Sequence, residues 1–289
     1  MTSAFRLLPV AATMATLHAG TGPAATSAAT TVDKWQYNLF NPTPRDQMRD
    51  MSTDRPDTTE SPISVDAGHI QIESSLFDYG WNDDGGIEEE VFTYGVMNVK
   101  FGLLNHVDLQ IVFDTYTEVE TKDKTTGITD TVDGFGDVQA RLKVNLWGND
   151  RGKTALAFFP FIKIPTGIAL SNDKVEGGII LPFSMELTDT IGLGLMAEAD
   201  FVRQDIGADY DTEFVHTAVL GFDVTEKIGA FIEYVGVTGS DSEFAYQAST
   251  VVGVTYSPSD SLQCDVGVRF GLNEEAEDFG LFFGTSTRF

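Results

Sequence analysis

The sequence contains one cysteine and no long apolar run. The single cysteine, Cys264, permits no disulfide framework and no cysteine metal site within one chain. No stretch reaches the roughly 18 consecutive apolar residues of a transmembrane helix, which argues strongly against a helical membrane protein. A membrane barrel remains open, because its strands need only about 9–11 residues each and distribute their apolar residues by alternation.

Positive charge is also scarce. Lysine and arginine total 18 against 44 aspartate and glutamate residues, which gives a formal net charge of −26. A surface of this sign repels nucleic acid, so the composition argues against a nucleic-acid partner. The charge suits a protein that meets divalent cations or cationic solutes, although solvated acidic loops alone would account for it equally well.

The first 67 residues differ from the remainder. Residues 1–29 carry a single cation, then a short apolar stretch and a series of small residues, which predicts a secretory signal peptide that is removed. Residues 30–67 hold four prolines and show little periodicity, which predicts a periplasmic arm or loop. We favour a polar lead-in held by local turns over the alternative, in which residues 54–57 fold into the mouth of a barrel as a plug.

From residue 68 to residue 289 the apolar residues recur with a period of two. In the clearest segment Val138, Ala140, Leu142, Val144 and Leu146 alternate with Asp137, Gln139, Arg141, Lys143 and Asn145. A helix would spread these charges around its circumference, whereas a strand places them on one side. About twelve segments of this kind are predicted, near residues 68–80, 89–102, 106–117, 134–147, 153–164, 176–187, 190–204, 213–224, 227–238, 245–256, 261–272 and 278–289.

The predicted connections alternate in length. Short turns fall at residues 104–105, 149–152, 188–189, 225–227 and 257–260, and longer connections at 82–88, 118–133, 165–175, 205–212, 239–244 and 273–277. Outer-membrane barrels show this alternation, with short periplasmic turns and longer outer loops. An even number of strands then places both termini in the periplasm and the long, acidic connections outside.

The fold class that these patterns predict is all-β, an antiparallel transmembrane up-and-down β-barrel of about 12 strands. A soluble β-sandwich or an extracellular barrel is the competing architecture, because alternation alone does not say which face points inward. The aromatic residues favour the membrane barrel. Tyr246 and Tyr256 mark the two ends of one strand, and Phe279 and Phe289 the two ends of the last, as in interfacial girdles.

Three stretches resemble a known family. They are MSTDRPDTTESP at residues 51–62 with VDAGHIQIE at 65–73, GFGD at 134–137 with RLK at 141–143 and NLWG at 145–148, and LFFGTSTRF at 281–289. Together they are similar to the transporter-like outer-membrane β-barrel family named Putative MetA-pathway of phenol degradation. The resemblance implies an outer-membrane location among lipid and lipopolysaccharide and transport of an aromatic or other small organic solute. It also implies that Phe289 acts as the signal read by the barrel-assembly machinery.

The polar face of the strands would line the lumen of such a barrel. The pore-lining candidates are Asp108, Asp114, Asp137, Arg141, Lys143, Lys163, Glu186, Glu198, Asp200, Glu233, Asp265 and Arg269. Charges of both signs could form a selectivity field for a permeating solute, or they could pair and close the lumen. Twelve strands lie between a barrel filled by side chains and an aqueous pore, so both readings stay open. No cofactor or metal site is predicted.

The predicted function is passive, weakly selective transport of a small solute, aromatic or otherwise organic, through an outer-membrane barrel. A surface, adhesive or structural barrel with a plugged lumen is the first alternative. The second alternative is a lipid-modifying enzyme, in which His216 would face outward. We predict no enzyme, because the neighbouring strands offer no outward serine at the height of His216.

Overall fold

The computed structural model describes residues 33–150, 152–167, 170–204, 209–241 and 244–289. The predicted signal peptide, residues 1–29, lies outside the described residues, as do parts of the predicted connections at 205–212 and 239–244. Among the described residues, no helix has the length and apolar character needed to cross a membrane. Two short 3₁₀ turns, Lys34–Gln36 and Arg45–Gln47, precede the strands.

Thirteen strands occur in the described part of the chain. They are β1 (Ile70–Asp84), β2 (Ile87–Leu104), β3 (Val107–Asp123), β4 (Ile128–Gly134), β5 (Val138–Trp147), β6 (Thr154–Ile164), β7 (Glu176–Glu186), β8 (Ile191–Arg203), β9 (Tyr210–Thr225), β10 (Ile228–Gly239), β11 (Gln247–Ser259), β12 (Leu262–Gly271) and β13 (Phe279–Arg288).

Twelve of these strands form a closed antiparallel ring. Each of them pairs with the next along the chain, β3 pairs with β5, and β1 pairs with β13 to close the barrel. Among the described residues, the extra strand β4 pairs with residues 117–123 of β3, and the chain then continues into β5. The predicted fold class and the predicted number of about 12 strands are therefore confirmed.

The burial pattern distinguishes this barrel from a soluble sandwich. In β5, Lys143 is 1% exposed and Arg141 is 3% exposed, so both cations point into the barrel. Leu142 and Leu146 alternate with them and are 38% and 53% exposed on the outer surface. An apolar exterior with a charged interior is what lipid on the outside and polar contacts on the inside require.

Two predicted connections were wrong. Residues 118–133 were expected to form a loop, but β3 and β4 pair through most of this stretch, from Glu118 with Asp133 to Asp123 with Ile128. Residues 82–88 were expected to form a long acidic loop, but β1 and β2 stay paired as far as Asp84 and Ile87. Gly85 and Gly86 alone make the turn, with φ values of 56° and 88°. A two-residue hairpin with left-handed backbone favours glycine at both positions. The acidic residues of this segment therefore belong to the paired ends of β1 and β2, which extend beyond the shorter strands of the barrel.

Both chain ends of the barrel lie at the end that carries the short turns. The Phe289 amide donates to the carbonyl of Ile70 at 2.8 Å, so the last residue lies beside the start of β1. At this same end, Leu39 donates its amide to Leu103 O at 2.8 Å, which joins the N-terminal segment to the end of β2. We call this the short-turn end and the opposite one the loop end.

Residues 49–67 fold into the barrel, and we call them the plug. Thr53, Asp54 and Asp66 are 0% exposed and Asp57 is 1% exposed, although the segment is polar. The expectation of a lead-in held by local turns was therefore wrong. The segment is stable inside because its backbone and side chains find hydrogen-bond partners on the inward face of the strands, as buried polar groups require.

Candidate functional site

The plug is anchored by a buried network of charges. Lys143 donates to Asp54 Oδ1 at 2.7 Å and to Oδ2 at 3.0 Å, and Lys100 pairs with both Asp54 and Glu73. The Asp54 amide in turn donates to Glu73 Oε2 at 2.9 Å. Burial opposes ionisation of Asp54, but the two ammonium groups outweigh it and hold the pKa of this carboxyl below its usual range.

Arg55 forms a second anchor, on β1 and β12. Its Nη2 lies 2.6 Å from Asp265 Oδ1, and its Nη1 donates to Ser75 Oγ. The guanidinium lies against Gly284 of β13, where an added Cβ would collide with Nη2. The missing side chain at Gly284 therefore provides the space that seats Arg55.

The tip of the plug, residues 57–60, reaches midway along the barrel. The Thr58 and Thr59 amides donate to the two carboxylate oxygens of Glu233 at 2.8 Å each. Thr59 Oγ1 also lies 2.6 Å from Glu233 Oε1 and 2.6 Å from Thr217 Oγ1. On the facing wall, Arg141 Nη1 donates to Glu60 Oε1 at 2.8 Å. The tip thus spans from β5 to β9 and β10.

The base of the plug is fixed at the short-turn end. Arg49 donates to the backbone of Ser64 at 2.8 Å and to Asn105 Oδ1 at 2.6 Å. His69 lies between two chain segments, with Nδ1 2.8 Å from the Phe289 carbonyl and Nε2 2.8 Å from the Thr43 carbonyl. Phe289 itself is 57% exposed on the outside of the barrel.

The structure divides the predicted pore-lining residues into groups. Five contact the plug: Asp108, Arg141, Lys143, Glu233 and Asp265. Six others lie on the loop side of the tip: Asp114, Asp137, Lys163, Glu198, Asp200 and Arg269. Glu186 belongs to neither group, because it is exposed at the end of β7 on the short-turn rim.

We call the loop side of the lumen the vestibule and define it by Asp78, Asp114, Asp137, Lys163, Glu176, Glu198, Asp200, Arg269 and Glu277. Its two cations are already paired. Arg269 binds Asp78 at 2.7 Å and Glu277 at 3.0 Å. Lys163 lies 2.5 Å from Glu176 and 3.4 Å from Asp137. Both cations are buried, and their charges are largely neutralised by the carboxyls that they bind. They therefore contribute little positive charge near the remaining vestibule carboxyls.

Three vestibule carboxyls lie outside these ion pairs. Asp114, Glu198 and Asp200 are half-buried, so each retains some exposure within the lumen. Within Asp200, Oδ1 is itself buried and accepts no hydrogen bond from the described residues, so the exposure belongs to the rest of the side chain. A solute on the loop side therefore meets carboxylate oxygens rather than cations, and a low-dielectric wall strengthens that field.

One sector of the inward wall is apolar, which the sequence analysis missed. Val219, Phe231, Val235, Val251 and Phe282 form one buried cluster, and Phe159, Ile180 and Met196 form another. Val215 packs against both clusters and joins them. Apolar residues on both faces of β9 to β11 were the available signal, since a strand that lines an aqueous channel should be polar on one face.

The charged residues of the plug, and the strand residues that anchor it, were also missed as site residues. Lys100 and Glu73 sit on the polar face of β2 and β1, so their alternation could have pointed to them. Asp54, Asp57 and Glu60 lie in a segment without periodicity, and nothing local indicates which wall they meet.

His216 lies on the outer surface, as the alternation predicts. The His216 Nε2 lies 3.1 Å from Tyr246 Oη, and the imidazole ring stacks on the ring of Phe214 with 5.8 Å between the ring centroids. Tyr234 Oη shares a short hydrogen bond with Tyr246 Oη. These contacts belong to an interfacial aromatic cluster.

Comparisons with known proteins agree with this geometry. A family model described as "Putative MetA-pathway of phenol degradation" matches residues 53–289. An outer membrane channel from Pseudomonas putida F1 has a TM-score of 0.61 and 14% sequence identity, over 82% of this chain and 100% of the channel. At this identity, the likeness shows a shared fold. No curated protein sequence matches.

Two further solved structures are similar at a lower level. The NanC porin has a TM-score of 0.47 and 7% identity, over 75% of this chain and 98% of the porin. The translocator domain of the autotransporter NalP from Neisseria meningitidis has a TM-score of 0.48 and 9% identity, over 76% and 88%.

Proposed function

Because the chain belongs to the family described as Putative MetA-pathway of phenol degradation, we propose that it is a bacterial outer-membrane channel for small organic solutes. Passage is passive and weakly selective, with a bias toward neutral or cationic species. The observation that carries this proposal is the acidic vestibule, whose half-buried carboxyls face a lumen closed below by the plug. No catalytic role is proposed.

The orientation follows from the two ends of the barrel. In outer-membrane barrels the short turns face the periplasm and the long connections face outward. We therefore place both termini, the base of the plug and the exposed Phe289 in the periplasm. The barrel-assembly machinery would meet Phe289 there, and lipopolysaccharide would surround the loop end.

The inner surface matches an organic solute better than a simple ion. The partly buried Phe161, Val215 and Val237, which flank the two apolar clusters, offer contact to a hydrocarbon or aromatic body. Asp200 and Asp114, at the loop side, favour a neutral or positively charged group and disfavour an anion. A small molecule with an apolar body and no negative charge fits both surfaces.

Neutralising two vestibule carboxyls will reduce cation preference. We expect Asp114→Asn/Asp200→Asn to lower the cation-to-anion permeability ratio about twofold or more, because it removes two unpaired charges from a narrow, low-dielectric passage. The measurement is the reversal potential of the refolded protein in a planar bilayer under a potassium chloride gradient.

Glu186→Gln is the matched control for this measurement. It removes a carboxyl of the same predicted set, but one that is exposed at the short-turn rim. The reversal potential of this control should equal that of the unmodified protein. An unmodified protein that prefers anions, or a double variant with an unchanged reversal potential, would contradict the assignment of the vestibule.

A plugged barrel with a structural or adhesive role is the second candidate. The continuous contacts of the plug with both walls favour it, since the charges of Asp54 and Arg55 are fully engaged. Conductance separates the two candidates. A barrel that stays silent even after the Asp54 anchor is removed would support the structural role and contradict the channel.

A further inference from the structure

The plug tip holds two buried carboxyls with unmet hydrogen-bonding capacity. Asp57 is 1% exposed, and neither of its carboxylate oxygens accepts a hydrogen bond from the described residues. Glu60 is 3% exposed; its Oε1 accepts from Arg141, but its Oε2 has no partner among the same residues. Glu233, which faces them from β10, is saturated by the Thr58 and Thr59 donors.

Charged groups reach this region from the plug and from seven strands. They are Asp54 and Arg55 in the plug, Glu73 in β1, Lys100 in β2, Asp108 in β3, Arg141 and Lys143 in β5, Glu198 and Asp200 in β8, Glu233 in β10 and Asp265 in β12. Each of the four cations in this set pairs with a carboxyl other than Asp57. Lys100 and Lys143 pair with Asp54, Arg55 pairs with Asp265, and Arg141 pairs with Glu60.

Among the described residues, Asp57 therefore has carboxyls for neighbours and no cation of its own. An ionised carboxylate that is buried without a partner is costly, and such a group keeps its proton instead. Burial raises the pKa of Asp57 well above its usual range, and the charge of Glu233 adds to this. Burial, with the charge of Asp54, raises the pKa of Glu60 to about 8, against the opposing pull of Arg141.

We propose that Asp57 and Glu60 form a proton latch for the plug tip. With both carboxyls protonated, the tip stays seated against β5, β9 and β10. Loss of these protons leaves Asp57 ionised without a cation among the described residues, and leaves Glu60 with Arg141 alone. The tip then leaves the wall while the Asp54 anchor holds the rest of the plug. The structural part of this proposal stands alone, whereas its effect on conductance rests on the proposed channel function.

The direction of the pH dependence follows from linkage. A released tip is solvated and has ordinary carboxyl pKa values of about 4, whereas the seated tip has raised ones. The seated state binds the protons more tightly, so seating is fully favoured below about pH 4. It is then lost as the pH rises toward the raised pKa of Glu60, about 8. The tip is therefore seated in acid and released at neutral to alkaline pH.

Thiol labelling of the full-length, refolded barrel tests the latch. Thr58→Cys, made in a Cys264→Ser background, places a thiol on the tip, and Thr126→Cys in the exposed turn after β3 serves as the reference. Dividing the Thr58→Cys rate by the Thr126→Cys rate at each pH corrects for the ionisation of an ordinary exposed thiol, and the comparison with Asp57→Asn accounts for the effect of Glu233 on the thiol at residue 58. We expect this ratio to rise about tenfold between pH 5 and pH 8.

Two variants make the result specific. Asp57→Asn breaks no side-chain hydrogen bond among the described residues, and it should label several-fold more slowly than the parent at pH 8. Asp46→Asn removes an exposed carboxyl near the base of the plug, and it should keep the parental profile. Heat-modifiable migration on a gel verifies that each barrel is folded.

The outcomes separate the latch from the channel. A labelling ratio that is flat with pH, or one that rises equally in Asp57→Asn, overturns the latch even where conductance is normal. A ratio that rises as expected in a barrel that never conducts supports the latch and rejects the channel. A rise in labelling together with a rise in conductance over the same pH range supports both.

Discussion

Replacing Asp54 with asparagine is expected to free the plug and raise single-channel conductance strongly. Asp54 is the shared anion of Lys100 and Lys143, and all three side chains are buried. Asparagine would leave the two ammonium groups with Glu73 as the remaining ion-pair partner and Asp108 as a further nearby carboxyl. Removing one partner of a buried ion pair costs about 3–5 kcal/mol, which shifts the seating equilibrium by about 100-fold or more.

Two measurements report this release. Conductance in a planar bilayer shows whether the lumen opens, and limited proteolysis shows whether residues 49–67 become accessible. Asp46→Asn is the matched control, because it makes the same chemical change near the base of the plug at an exposed position. Unchanged conductance together with an unchanged cleavage pattern in Asp54→Asn would contradict the role of this anchor.

The strand pattern could be predicted from the sequence because its cause is local. A period of two places Arg141 and Lys143 on one face and Leu142 on the other, whatever the remaining strands do. Closing the ring then fixes which face is inward. The predicted and observed strands overlap in all twelve ring positions for this reason, and the same alternation gave the inward direction of Asp265 and Glu233.

The boundaries of the outer hairpins depend on more than composition. Asp83, Asp84 and Glu88 resemble a solvated loop, but the backbone ladder of β1 and β2 carries them as strand residues. The double glycine at residues 85–86 was the available signal, since a two-residue turn permits pairing directly up to it. A run of acidic residues therefore predicts that a segment is exposed to solvent, but it does not predict whether the backbone forms a strand or a loop.

The plug could not be placed because its contacts are distant in the chain. Thr59 meets Thr217 across 158 positions, and Arg55 meets Asp265 across 210. A proline-containing polar segment has the same local composition in a free arm and in a lumen. The available signal for the position of the plug lay in the barrel strands instead. Buried charges such as Lys100 and Glu73 require partners, and the inward face of a narrow barrel leaves few segments able to supply them.

The buried ion pair at the loop end should dominate the stability of the vestibule. Arg269 is held by Asp78 through two hydrogen bonds, at 2.7 and 3.0 Å, and by Glu277 at 3.0 Å. The guanidinium lies over Gly280, where an added Cβ would come within 2.7 Å of it. Arg269→Gln leaves Asp78 and Glu277, which are 13% and 30% exposed, without their cation, so we expect a loss of about 3 kcal/mol in the free energy of unfolding.

Urea unfolding of the refolded barrel in lipid or detergent measures this loss, and Lys122→Gln provides the comparison. Lys122 pairs with Glu88 at 3.2 Å, but its side chain is 46% exposed, so its removal should cost at most about 1 kcal/mol. Adding Asp78→Asn to Arg269→Gln should recover part of the stability, because it removes one of the stranded charges. If Arg269→Gln proved no more damaging than Lys122→Gln, the Arg269 site would have to be open to water. The vestibule carboxyls would then be screened, and the electrostatic basis for cation preference would be lost with them.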